Sequence, residues 1–455
     1  MKIRNPRTGM YDYEIEILTD AEISEDCNLL RKHQQVWADG GIEKRIEVLQ
    51  LWKSAVERHK EKLIKTLCVD TGRKWETILE VSLVATSIDR WCSIAKANLI
   101  KANQTDSSIP FLKLQQELVP YQLVGVISPW NFPLLLSLID TIPALLAGCA
   151  VIVKPSEVTP RFVKVMEAII NEVPILKNIF KYLEGDGSVG AALIEQCDLI
   201  CFTGSTTTGK KVYKAASKKM KPVFLELGGK DAAVVLDGAD IELAKSSILW
   251  GSTANAGQSC LSVERVYAKE NIYDEFVKSL VGKTKAIKLN AANINEGEIG
   301  SIIFEKQVEI INEQLEDALN KGATIICGNA QCQKIDGGFY CSPTILTNVK
   351  HNMKIMQEET FGPIIPIMKF KTNNEAIALA NETIYGLSAA VFAKTNEEAI
   401  DVGNEIKAGA ISINDCALTA IMHEGEKNSF KLSGIGGTKM GASDIKKFTN
   451  VKMCQ

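Results

Sequence analysis

From Leu123 to Glu226 short apolar blocks alternate with longer stretches in which apolar residues recur every three or four positions. The blocks Leu123 to Ile127, Cys149 to Val153, Ile179 to Leu183, Asp198 to Phe202 and Pro222 to Glu226 predict strands. The stretch after Pro133 and those from Arg161 to Asn171, Val189 to Gln196 and Thr207 to Ala216 predict helices. Strands separated by helices of this length pair in parallel, so the pattern predicts an α/β doubly wound sheet. Such a sheet binds ligands in the crevice at the carboxyl ends of its strands.

Upstream, residues 20 to 104 carry a helical pattern with charged faces such as Glu57 to Lys62. Polar turn residues follow from Asn103, and the alternation from Phe111 to Gln122 predicts a β-hairpin arm. A second alternating region starts with a strand at Ala232 to Leu236 and runs to about residue 415, enough for a domain of its own. Leu134 to Val153 holds a single charge, Asp140, over a length close to that of a bilayer span. Pro143 and Gly148 break it and its end is rich in β-formers, so it predicts a buried helix, a glycine cap and a central parallel strand.

Composition changes this picture little. A net charge of -3 over 455 residues, without a long Lys/Arg run, gives no basic footprint for nucleic acid. The first residues are polar and are not a secretion signal, which makes the cytoplasm the expected compartment and a membrane span unexpected. Twelve cysteines at irregular spacing, with no Cys-x-x-Cys pair, read as reduced thiols, and neither Cys197 with Cys201 nor Cys327 with Cys332 has the partners of a metal site.

The chemistry centres on Cys260, in the run Asn255-Ala256-Gly257-Gln258-Ser259-Cys260, and on Glu226, in Leu225-Glu226-Leu227-Gly228-Gly229-Lys230. A thiolate attacks an electrophilic carbon, and a separate carboxylate can activate the water that releases the product. Histidine is not the obvious base, since none of His33, His59, His351 and His423 shares a run with a nucleophile. Asn131, in the rigid loop Pro129-Trp130-Asn131-Phe132-Pro133, offers an amide to an oxyanion or simply forms a turn. Gly204 to Gly209 lies between a strand and a helix, where amides favour a phosphate. A phosphate-binding P-loop would need Ser or Thr where Lys211 stands, and a threonine-rich turn also serves as a plain helix cap.

These runs, with Lys154-Pro155-Ser156-Glu157, Phe202 to Gly209 and Glu358-Glu359-Thr360-Phe361-Gly362-Pro363, resemble those of the NAD(P)-dependent aldehyde dehydrogenase superfamily, in the family's order and over almost the whole chain. The resemblance implies a Rossmann-like cofactor domain formed by residues 1–108 and 122–227, an α/β catalytic domain from 228 to 425, and a small oligomerisation arm from 109–121 and 440–455. It implies Cys260 as nucleophile, Glu226 as deacylating base and Asn131 as oxyanion donor. It also implies cofactor contacts at Trp130, Lys154, Glu157, Gly204, Ser205, Gly209, Leu227, Glu359 and Phe361, with no metal. Glu157, after the strand ending at Val153, suits ribose hydroxyls and repels a 2′-phosphate, so NAD is preferred, although Lys154 beside it leaves NADP open.

The expected product is a free carboxylate, and the expected assembly a homodimer or homotetramer. Two alternatives stand beside this: a binding or structural homologue without catalysis, and an enzyme that passes the acyl group to coenzyme A. The acylating branch generally lacks the glutamate found at Glu226. The run Ser433 to Lys439 holds the position but not the usual spelling of the family's late glycine loop, and the identity of the aldehyde is not legible.

Overall fold

The computed structural model describes residues 1–99, 104–109, 111–420, 422, 424–437 and 440–454. Its first sheet has six strands in the order Gly434–Ile435, Val223–Glu226, Leu199–Thr203, Leu123–Ile127, Ala150–Lys154, Phe180–Tyr182. All pair in parallel except the edge strand Gly434–Ile435. The chain starts this sheet in the middle and winds outward both ways, so its switch point lies between Leu123–Ile127 and Leu199–Thr203. That is where a doubly wound sheet opens a ligand crevice.

The apolar residues cover both faces of this sheet with helices. Asp20–Asp39, Gly41–Arg58, Lys60–Thr71 and Trp75–Asn98 supply the helical layer expected from residue 20, burying Trp52 and Trp91 in one core with the strands. The predicted helix after Pro133 is two, Pro133–Leu138 and Thr141–Ala147, separated at Ile139-Asp140. Pro143 explains the break, because its ring and missing N–H do not suit the middle of one continuous helix. Gly148 caps the second helix with φ of 103°, in the left-handed region that glycine tolerates best. Among the described residues no helix is long and apolar enough to cross a membrane.

Leu227 to Lys230 carries the chain from the last parallel strand of this sheet into a second, seven-stranded one. Its order is Thr324–Cys327, Thr344–Thr347, Ile364–Phe370, Val263–Lys269, Asp231–Val235, Ser388–Phe392, Ala410–Ile413. Side chains alternate across its plane. Ala232 and Val234 join one core while Ala233 and Val235 join the opposite one, so helices pack on both faces.

The arm differs from its sequence pattern. Phe111 to Gln122 is not a hairpin in itself: Lys113–Pro120 is one strand, flanked by Thr105–Asp106 and by Thr449–Cys454 from the far end of the chain. The preceding turn Ala442–Phe448 returns to the first core, where Ile445 and Phe448 are fully buried.

Candidate active site

Two loops flank the switch point. Leu123–Ile127 runs into Pro129-Trp130-Asn131, and Leu199–Thr203 runs into Gly204-Ser205 and the helix Thr206–Ser217. Ser205 caps that helix, its hydroxyl accepting the Thr208 amide at 3.3 Å, so the turn is the helix cap weighed from sequence. A cap leaves the first-turn amides pointing outward, which suits an anion. Gly209 has a packing reason as well: a Cβ there would lie 2.4 Å from a Leu227 methyl, so the helix seats directly on the strand-to-strand link. At the end of Ala150–Lys154 the Lys154 ammonium donates to the Glu157 carboxylate at 2.6 Å.

The loop before Cys260 is bent by three successive residues in the left-handed region, Asn255, Ala256 and Gly257, at φ of 53°, 55° and 71°. Only the third is a glycine, so the turn stores strain that its surroundings must hold. They do so with hydrogen bonds. The Asn255 side-chain amide donates to the carbonyls of Gln258 (2.9 Å) and Asn131 (3.2 Å), and Gln258 Nε2 donates back to the Asn255 carbonyl (2.9 Å). Asn131 Nδ2 donates to the Gln258 carbonyl at 3.0 Å. The loop bearing Asn131 and the loop bearing Cys260 are thus tied together although they leave different sheets.

Gly229 brings the carboxylate's strand to the same place. A Cβ on it would stand 2.6 Å from the Cys260 carbonyl oxygen. Glu226 therefore lies three residues before a direct backbone contact with Cys260, and its Oε2 accepts the Ser429 hydroxyl at 3.0 Å. Burial pushes the Cys260 thiol up to about 12, and the Glu226 charge pushes the same way, opposed by Lys427. The resting sulfur is consequently a thiol, whose nucleophilicity depends on losing a proton.

A third segment closes the group. Glu359 Oε1 accepts the Gly229 amide at 3.1 Å, and a Cβ on Gly228 would lie 2.5 Å from Glu359 Oε2. Burial raises the Glu359 carboxyl to about 8, with the Glu264 charge adding to it. Phe361 meets Trp130 edge to face at 5.3 Å. Gly257 abuts this turn so closely that a Cβ would be 2.3 Å from the Gly362 carbonyl carbon.

All of Asn131, Glu226, Cys260, Trp130, Glu359, Phe361 and Leu227 thus belong to one connected framework, while Gly204, Ser205, Gly209, Lys154 and Glu157 line the strand ends beside it. Reading the motifs alone missed what supports them. The Glu264 carboxylate accepts the Thr360 amide (2.7 Å), the Phe361 amide (2.8 Å) and the buried Lys230 ammonium (2.7 Å). Lys230, Asn255 and Gln258 lie inside the motif runs, whereas Glu264, Lys427 and Ser429 carry no local signal in the sequence.

Comparison with known proteins matches the description "Aldehyde dehydrogenase family" over residues 1–454. A provisionally named aldehyde dehydrogenase from Anabaena variabilis is 51% identical with a TM-score of 0.98, covering 100% of this chain and 97% of that one. Betaine aldehyde dehydrogenase of Staphylococcus aureus in complex with NAD+ is 30% identical with a TM-score of 0.94, covering 100% of this chain and 90% of that one. A protein of Mycolicibacterium smegmatis, provisionally named an NADP-dependent succinate-semialdehyde dehydrogenase, is 32% identical over 449 residues, 97% of this chain and 86% of its own.

Proposed function

The chain belongs to the aldehyde dehydrogenase family, an oxidoreductase that oxidises aldehydes with NAD(P), and from that premise we propose how its own residues do so. Cys260 attacks the aldehyde carbon once it has lost its proton. The oxyanion that forms is held by the Cys260 backbone N–H and by Asn131. A side-chain amide has two N–H groups, and the Gln258 carbonyl takes one of them, which orients the other. Oxidation of the adduct leaves a thioester on the same sulfur, and water activated by Glu226 releases the carboxylate. The observation that carries this reading is the Gly229 to Cys260 backbone contact, which ties the base's segment to the nucleophile.

A nicotinamide dinucleotide supplies the hydride acceptor when bound. The residues fit it: a capped helix N-terminus at Ser205 for the phosphates, Gly204 and Gly209 at its sides, Glu157 and Lys154 for the adenosine ribose, and Glu359 for the nicotinamide ribose. A carboxyl held near 8 both accepts and donates hydrogen bonds at neutral pH, which suits a pair of hydroxyls. Trp130, Leu227 and Phe361 pack around that end. Because Glu157 already pairs with Lys154, the lysine is no free cation for a 2′-phosphate, so NAD is the preferred cofactor. Equal or better kcat/KM with NADP would overturn that preference.

Residues 1–108 and 122–227 then form the cofactor domain, 228–425 the catalytic domain, and 109–121 with 440–455 the arm of a homodimer or homotetramer. The twelve free cysteines support a reducing compartment, the cytoplasm. The test of the central assignment is Cys260→Ala, which should abolish aldehyde-dependent NAD reduction while NAD still binds. Retention of more than a few per cent of the rate would end it.

A further inference from the structure

Lys427 stands on the late loop two residues before Ser429, whose hydroxyl reaches Glu226, and its neighbours Glu426, Asn428 and Ser429 are held in place. Glu426 packs over Gly441 and accepts the Ser443 amide at 3.0 Å. The Asn428 carbonyl is pressed so closely on Gly409 that a Cβ there would be 1.6 Å away. Ser429 donates to Glu226 at 3.0 Å. Lys427 itself is half-buried and, among the described residues, makes no ion pair or hydrogen bond. Its charge nevertheless acts on both Cys260 and the buried Asp231.

We propose that Lys427 is a specificity-determining residue, whose ammonium receives the carboxylate of an aldehyde that is also an acid, and that it disfavours cationic aldehydes. The proposal rests on Cys260 being the nucleophile and extends that reading to the substrate's far end. The other charged or titratable groups facing the thiol are Glu226, Glu359 and Asp231. Burial raises Glu359 to about 8 and Asp231 to about 7, so much of their negative charge is absent at neutral pH. The relatives differ on this point: one is named for a substrate bearing a carboxylate and another for one bearing a quaternary ammonium. An unpaired ammonium near the sulfur attracts the first and repels the second.

Two paired probes test it on the full-length enzyme. The first compares kcat/KM for succinic semialdehyde with that for butanal, and the second the rates at which iodoacetate and iodoacetamide alkylate Cys260, read on the Cys260 peptide. In each pair one probe is anionic and the other is neutral. Lys427→Met should lower both anionic-to-neutral ratios about tenfold, the effect of one partly desolvated ion pair, and Lys427→Arg should keep most of each. Betaine aldehyde should be a poorer substrate than butanal for the wild type and improve in Lys427→Met. An unchanged ratio in either pair overturns the proposal. Alkylation of Cys260 by iodoacetamide that leaves the wild type active would instead remove the assignment of the nucleophile, so the two failures are distinguishable.

Discussion

Cys260 is a thiol at rest, since burial and the nearby Glu226 push it up to about 12. Only the thiolate is alkylated, so iodoacetamide inactivation of the cofactor-free enzyme should rise about tenfold per pH unit from pH 7 to 9. A plateau below pH 9 would show that another group holds the sulfur ionised. Asn131→Ala removes the proposed oxyanion donor and should lower kcat by about two to three powers of ten. Unchanged kcat would leave Asn131 as nothing more than the tie to Gln258. At this scale the reactive groups were legible because their neighbours in the chain are unusual. Ser429 and Glu264 were not, because a lone serine or glutamate acquires its role only from what folding sets opposite it.

The elements show which patterns carry far enough to be read. Leu123–Ile127 and Leu199–Thr203 follow the apolar blocks closely because central parallel strands are buried on both faces and must be continuously apolar. The pattern alone gives Phe111 to Gln122 as a hairpin because alternation reports a strand but not its partner, and only the resemblance sets 440–455 beside it. Lys113–Pro120 takes its neighbour Thr449–Cys454 from more than three hundred positions away, and no local turn announces it. The link from Leu227 to Lys230 is the element on which the site depends most. Gly229→Ala would drive a methyl group into the Cys260 carbonyl, with the contact at 2.6 Å. Activity should fall at least about a hundredfold, since small misplacements of reacting groups cost that much, while circular dichroism stays native. Near-normal activity would show that this contact does not position the nucleophile.

In the whole molecule, buried acids couple folding to pH. Asp70 and Asp231 are each raised by burial to about 7, and Glu359 to about 8. Unfolded, these groups titrate near 4, so between about pH 4 and 8 the native state binds more protons and loses stability as pH rises. The urea midpoint should therefore fall from pH 5.5 to pH 8, and Asp231→Asn, which fixes the uncharged form beside Ser388, should flatten that fall. The same slope in the variant would mean that Asp231 titrates normally. Assembly belongs to this scale too: Thr449–Cys454 lies at the edge of its sheet with Val451 and Met453 63% and 58% exposed. Light scattering that finds a monomer at micromolar concentration would reject the arm as an interface.

The central claim is a division of labour in which Cys260 carries the acyl group and Glu226 activates the water that removes it. Rapid mixing of Glu226→Gln with aldehyde and NAD tests it most directly, because glutamine keeps the shape and removes the base. The account predicts a fast phase of at most about one NADH per active site, then very slow turnover that hydroxylamine partly restores by cleaving the thioester. Steady turnover at the wild-type rate, with no fast phase to separate from it, would contradict the assignment of Glu226.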